Sequence, residues 1–418
     1  MHDTAAMTDV SRADDLQVND REYRIGNISK LFAATLGNLA SVSSLMLYSV
    51  GVFISRLQQD LGWSRTDTAL SATLFTIVIF LGTPFVGRLA DRVEPARLAA
   101  VSLFSAGICL IFVPPHIHTV GALWAMYFGV AVIGLGTSPV VVNSPVVANF
   151  SCARGFAIGV AIAGQGMGAF VAPRLASLMM ERSGWIAGYA GLGIVALIVA
   201  PILWFGLGSP RRQVKTDSGE SLVHASGDTL RTAFRLPVFW MLSLISILAG
   251  LGMSGTVAHL VPFLHDHNLS TLEAAKLASL LGLSNVAGRL VTGYTLDRVQ
   301  GPLPGLPFLG IGAIALIVLI SFGVPGATLA ILMLGFTVGA EFDLVAYFTS
   351  RYFGLRAYSA IFGWQYGMVA FGAAFAPALL GILRDHLGNY IPGFALSSIC
   401  LGIAATLCPF LGKYRYAP

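Results

Sequence analysis

Apolar runs of about 20 residues, the length that crosses the hydrocarbon of a bilayer, recur along this chain. Twelve such runs cover residues 31–54, 66–86, 97–115, 121–148, 155–180, 187–207, 237–263, 273–293, 303–323, 326–349, 359–383 and 391–411. A backbone in hydrocarbon must satisfy its own N–H and C=O groups, so these runs predict helices. Only 11% of the residues are charged and 56% are hydrophobic, which excludes a soluble domain and fits a multi-pass protein of the lipid bilayer.

Polar segments divide the runs into halves. Residues 1–30 read as a cytoplasmic tail without a signal peptide, and 412–418 as a second tail. Between the half at 31–207 and the half at 237–411 lies a linker, 208–236, containing Pro210, Arg211, Arg212 and Lys215. With the N-terminus inside, the cytoplasmic segments hold 18 of the 25 Lys and Arg residues and the opposite side 5, with Arg174 and Arg289 left inside spans. The positive-inside bias therefore predicts both termini in the cytoplasm, as in a bacterial inner (plasma) membrane protein. The net charge of +5 is spread over these short clusters and forms no nucleic-acid face. Cys109, Cys152, Cys400 and Cys408 lack the paired spacing of a disulfide framework or metal site, and no cofactor or catalytic constellation is expected.

Two short segments relate the halves. Gly87-Arg88-Leu89-Ala90-Asp91-Arg92, between spans two and three, matches Gly293-Tyr294-Thr295-Leu296-Asp297-Arg298, between spans eight and nine. The repeat predicts an all-α membrane protein of twelve helices in two pseudo-symmetric six-helix halves. Within each motif the glycine allows close helix approach, and the arginine can bridge to the aspartate at the cytoplasmic face. Gly87, Asp91, Arg92, Gly293, Asp297 and Arg298 thus form a candidate cytoplasmic gate.

Charge inside a span is costly, roughly 2.5 to 3.5 kcal/mol for an arginine, and marks function by default. Arg289 stands eight residues before Asp297, roughly 12 Å inside the cytoplasmic end at ~1.5 Å per residue. Its planar guanidinium matches a carboxylate bidentately; the alternative is a buried arginine paired with another helix. Asn285 lies one turn away on the same face, able to hold Arg289 or a ligand, or to bond between helices. Span ten brings Glu341 and Asp343 to similar depth as candidates for proton coupling. A spacing of two turns them ~200° apart, so one faces the cavity and the other pairs within the half. Structural charge partnership is the alternative for either.

The chain resembles the major facilitator superfamily over residues 25–415, and more narrowly its monocarboxylate porter group, which includes oxalate-formate exchangers. The carrying stretches are Tyr48-Ser49-Val50-Gly51-Val52-Phe53, Leu61-Gly62-Trp63-Ser64-Arg65, Arg154-Gly155-Phe156-Ala157-Ile158-Gly159, Phe239-Trp240, Gly288-Arg289 with Gly293 and Asp297, and Arg351-Tyr352-Phe353-Gly354. The resemblance implies that Arg289 grips the substrate carboxylate and that Tyr48 and Tyr366 stand at aromatic positions around it. Val338 and Phe342 match cavity-lining positions, which puts Glu341 nearer the cavity edge than Asp343. Many animal members carry an aspartate where this chain has Asn285, which cannot titrate. Exchangers of oxalate place a second cation in span eleven, and no Lys or Arg lies between Arg356 and Arg384.

Other features carry less. Gly164-Gln165-Gly166-Met167-Gly168 lies inside a span and reads as helix packing rather than a nucleotide fingerprint. His259 reads as a hydrogen-bonded structural histidine, with proton relay as the alternative, and Arg174 as a side chain snorkelling outward, with a second anion contact at an outer vestibule as the alternative. The resulting expectation is a monomeric secondary transporter, not an enzyme, that takes up a small monocarboxylate with protons by alternating access. An organic-anion exchanger without proton coupling is the alternative, and a transporter-like receptor a third class.

Overall fold

A computed structural model describes residues 25–208, 226–267, 269 and 271–416. Most of the N-terminal tail, and Arg211, Arg212 and Lys215 of the linker, lie outside the described residues. Ten described helices are long and apolar enough to cross a membrane. One of them, Arg154–Gly206, contains two spans, because Ser183 leaves helical geometry and Gly184 takes a φ of 80°, which favours glycine. The remaining span is Thr271–Arg298, whose middle carries Asn285 and Arg289. The described residues thus supply twelve spans, numbered here in chain order.

Two spans are interrupted where polar side chains replace backbone bonds. Span one consists of Ile25–Leu39, Val42–Leu47 and Val50–Leu61, with the Ser41 hydroxyl accepting from the Ser44 N–H at the first break. Span four runs from Val120–Gly134 through a 3-10 turn into Pro139–Val142 and Ser144–Asn149, where Pro139 and Pro145 cannot donate. Asn38 Nδ2 crosses between these spans, donating to Asn143 Oδ1 at 2.8 Å and to the Ala161 carbonyl of span five at 2.9 Å. The first break of span one and the break at Asn143 therefore stay inside protein rather than facing lipid.

The halves meet chiefly through span two against span eleven and span five against span eight. Glycines set how closely. A Cβ added at Gly155 would lie 2.5 Å from the Gly293 carbonyl, and one at Gly293 equally near that of Gly155. Gly87 backs onto the Ser359 carbonyl, and a Cβ at Gly159 would come 2.8 Å from the Arg289 carbonyl. Farther along span five the fit loosens, since Gly166 meets only a Val286 methyl at 3.7 Å. These contacts seal the end of the bundle carrying the basic loops, called the inner end below.

Spans eight and ten overrun their apolar segments. Gly293 to Arg298 is helical rather than a loop, and span ten continues to Phe353. Linker and C-terminal tail pack on that extension: Gly227 pairs with Gly354, Asp228 N–H donates to the Phe353 carbonyl at 2.8 Å, and Arg415 meets Asp228 at 2.7 Å.

Candidate functional site

Arg289 is 3% exposed and its guanidinium is occupied on two sides. Nε donates to Asn285 Oδ1 one turn earlier at 3.0 Å, and Nη1 donates to Asp343 Oδ1 of span ten at 3.0 Å. The first bond follows from the four-residue spacing, which stacks the two side chains on one helical face. The second follows from backbone proximity: Gly339 leaves no room for a Cβ against the Asn285 carbonyl, so spans eight and ten touch where the ion pair forms. Asp343 is fully buried, with Oδ2 lacking a hydrogen-bond partner among the described residues.

Glu341 is 4% exposed, its Oε1 is also without a partner, and it lies within electrostatic reach of Arg289. The two carboxyl groups thus take different environments, one bonded to Arg289 and one incompletely bonded beside it. Such orphaned buried acceptors are costly and mark a place where a proton, water or ligand can settle.

Aromatic groups complete the surround. Tyr366 of span eleven is 8% exposed, packs on Phe342 with ring centroids 5.3 Å apart, and neighbours Gln165, Glu341 and Arg289. Tyr48 comes from the other half, at the second break of span one, close enough to Arg289 to sense its charge. Tyr48 is 49% exposed whereas Arg289 is enclosed. Arg289, Asn285, Glu341, Asp343, Tyr366 and Tyr48 are therefore brought together between the halves, with Phe342 beside them as the resemblance implied and Gln165 added by the structure.

The gate residues are placed differently from the expectation in one respect. Each aspartate reaches across to the other half instead of bonding its neighbouring arginine. Asp297 Oδ1 accepts from Gly155 N–H at 2.6 Å and Oδ2 from Phe156 N–H at 2.8 Å, at the start of span five. Asp91 Oδ1 accepts from Ser359 N–H at 3.1 Å and Oδ2 from Ala360 N–H at 2.9 Å, at the start of span eleven. The first amides of a helix have no intrahelical partner and carry positive dipole, so they satisfy a carboxylate better than an exposed side chain does. Among the described residues Arg92 and Arg298 form no ion pair, and Arg298 lies over the Tyr294 ring at 3.6 Å. Partly enclosed against the other half, the Asp91 carboxyl is pushed up to about 6 by desolvation, against the opposing pull of the two amides.

Features set aside in the sequence fall outside this constellation. Gly164 and Gly168 pack against the Thr35 and Leu39 carbonyls of span one. His259 shares a hydrogen bond of 2.8 Å with the Pro377 carbonyl, and Arg174 is exposed with its guanidinium 3.6 Å from the Phe170 ring centroid. Two arginines counted only as topological charge, Arg154 and Arg351, are each 5% exposed at the inner seal. Their appearance in the Arg154-Gly155-Phe156 and Arg351-Tyr352-Phe353-Gly354 stretches was the available signal.

The comparisons agree with this architecture. The chain is 24% identical over 391 residues to monocarboxylate transporter 11 of Homo sapiens, spanning 87% of this chain and 79% of that protein. The solved structure of the E. coli fucose:proton symporter FucP superposes with a TM-score of 0.72 at 14% identity, covering 93% of this chain and all of that one. The human organic anion transporter MFSD10 superposes with a TM-score of 0.71 at 15% identity, covering 92% of this chain and 100% of that one. The Major Facilitator Superfamily model matches residues 36–377, most of the chain, and with the twelve-span fold this makes the protein a member of the Major Facilitator Superfamily.

Proposed function

We propose that this secondary transporter takes up a small monocarboxylate together with protons, by alternating access, through an inner membrane with both termini in the cytoplasm. The observation that carries the reading is the Arg289–Asp343 pair, an enclosed guanidinium whose counter-ion is a replaceable carboxylate. A substrate carboxylate offers Arg289 the same fork of acceptors that Asp343 now partly supplies. Similarity to a monocarboxylate transporter supports the substrate class. Tyr48 and Tyr366 supply aromatic faces and hydroxyl groups around the bound acid, and one carboxylate is favoured over two because Arg289 has no second cation beside it in span eleven.

Coupling follows from competition for one charge. In the empty site Asp343 neutralises Arg289. When the substrate anion takes that role, the displaced carboxyl group can remain buried only by accepting a proton, so anion and proton load together. The charge of Arg289 also holds Glu341 alongside, so the same substrate binding favours a proton on Glu341, the expected carrier, with Asp343 as the alternative carrier. In the form seen here the inner end is sealed and Arg289 enclosed, while Tyr48 is half-exposed. An exchanger remains a second reading, favoured by the non-titratable Asn285 bonded to Arg289.

Reconstituted liposomes decide between these readings. Preloaded protein-containing vesicles should show counterflow of short aliphatic, hydroxy or aromatic monocarboxylates, and an inward proton gradient should drive their accumulation. Counterflow without gradient-driven accumulation establishes exchange, and no flux with any acid of the panel removes the monocarboxylate assignment.

A further inference from the structure

Two buried arginines at the inner end have no part in the central site. Arg351, in the last turn of span ten, donates from Nη2 to the Tyr347 hydroxyl at 2.9 Å. Among the described residues its Nε and Nη1 have no hydrogen-bond partner although the residue is only 5% exposed. Arg154, the first residue of span five, donates from Nε to the Phe150 carbonyl at 2.9 Å. The two cations repel each other, and the charge of each reaches Asp297. A buried guanidinium with two unmet donors is a costly arrangement that one further anion would relieve.

That anion has a definable seat. Asp297 places its two oxygens on the N–H groups of Gly155 and Phe156, the first turn of a long helix, where oriented amides favour negative charge. When the inner end opens, spans five and eight separate and Asp297 must leave those amides. The vacated turn then presents two N–H donors beside Arg154 and Arg351, the groups that recognise a carboxylate. Arg351 is eight residues along span ten from Asp343, roughly 12 Å at ~1.5 Å per residue. Arg154 is five residues toward the inner end from Gly159, which packs on the backbone of Arg289. The seat therefore lies on the inner side of the central site, between the same helices.

We propose that the start of span five, with Arg154 and Arg351, is a second carboxylate site: Asp297 fills it in the sealed form, and the transported monocarboxylate occupies it while leaving toward the inner side. The identity of the passing ligand rests on the monocarboxylate reading above. The site itself rests on the orphaned Arg351 donors and on the carboxylate already seated there.

Formate, the smallest carboxylate, tests the site apart from transport. In a background neutralised at the centre by Arg289→Gln with Asp343→Asn, removal of the internal occupant by Asp297→Ala should let formate, against chloride at equal ionic strength, raise the melting temperature. Adding Arg351→Gln should abolish that rise. No rise, an equal rise with Arg351→Gln, or an equal rise with Asp297 intact overturns the proposal. A second measurement serves if Asp297→Ala does not fold. Arg351→Gln alone should raise the half-saturating pyruvate concentration at the inner face roughly tenfold, leaving the outer face within about twofold. Equal changes at both faces, or none at either, count against the site. If the wild-type protein moves no monocarboxylate, the transport reading fails while the formate melts still test the site.

Discussion

Arg289 and Asp343 form an ion pair 3.0 Å long in which the arginine side chain is 4% exposed and the aspartate fully buried. Breaking such a pair from one side leaves a charge without compensation, at a cost of about 3–5 kcal/mol, whereas neutralising both sides avoids most of it. Asp343→Asn should therefore melt well below wild type, and Asp343→Asn with Arg289→Gln should recover much of the loss. Differential scanning fluorimetry of the three proteins in detergent measures this; equal melting of all three would show the pair to be structurally neutral, and a double variant no better than the single would contradict the recovery.

Arg289→Lys retains the positive charge and loses the fork that bonds Asn285 and Asp343 together. We expect uptake to fall by roughly 10- to 100-fold, the worth of one charge-assisted hydrogen bond, with the protein still inserted. Unchanged half-saturation in vesicle uptake would take Arg289 out of bidentate recognition.

Glu341→Gln should abolish accumulation driven by a proton gradient while leaving counterflow, because the amide preserves shape and removes the titrating group. Asp343→Asn is the companion measurement. Wild-type gradient dependence in both would favour exchange.

At the inner seal the expected effect is steric. Gly293→Val puts a branched side chain where even a Cβ would lie 2.5 Å from the Gly155 carbonyl. The inner end should fail to close, seen as faster hydrogen exchange at the Gly155 and Phe156 amides and loss of net transport. Protection equal to wild type would mean that spans five and eight can part without exposing those amides.

The Asp91 carboxyl, raised from 3.8 to about 6, gives a signed pH dependence. The sealed, folded form binds the proton more tightly than the hydrated or unfolded form. Its relative contribution is therefore fully present below pH 3.8 and lost as pH rises through about 6. Part of the residue faces water, which tempers the size of the effect. The melting difference between wild type and Asp91→Asn should shift against wild type as pH rises across this window, and a constant difference would contradict it.

The spans were legible because crossing hydrocarbon demands a length of apolar sequence that nothing else in the chain mimics. Arg289 and Asn285 were legible as a bonded pair because helical spacing alone places them together. The partners of Asp91 and Asp297 were not, since they are backbone amides of the opposite half, and an amide has no letter in a sequence. Arg154 and Arg351 were hidden for a related reason: at a span terminus an arginine that sets topology and one buried in a seal look the same. The Asn38–Asn143 bond depends on two broken helices meeting, which periodicity does not report.

The reciprocal grip of Asp91 on span eleven and Asp297 on span five has a consequence for how such a protein can vary. Backbone amides supply most of each grip, so the identities at 155, 156 and 360 are free as far as hydrogen bonding goes, short of proline, while the Ser359 side chain also bonds Asp91. Most changes on the receiving helix keep the amide bonds, whereas a change at either aspartate to a residue without a carboxyl removes them. The closure is thus encoded unevenly, with nearly all its chemical information carried by two acidic residues and the glycines that let the helices approach.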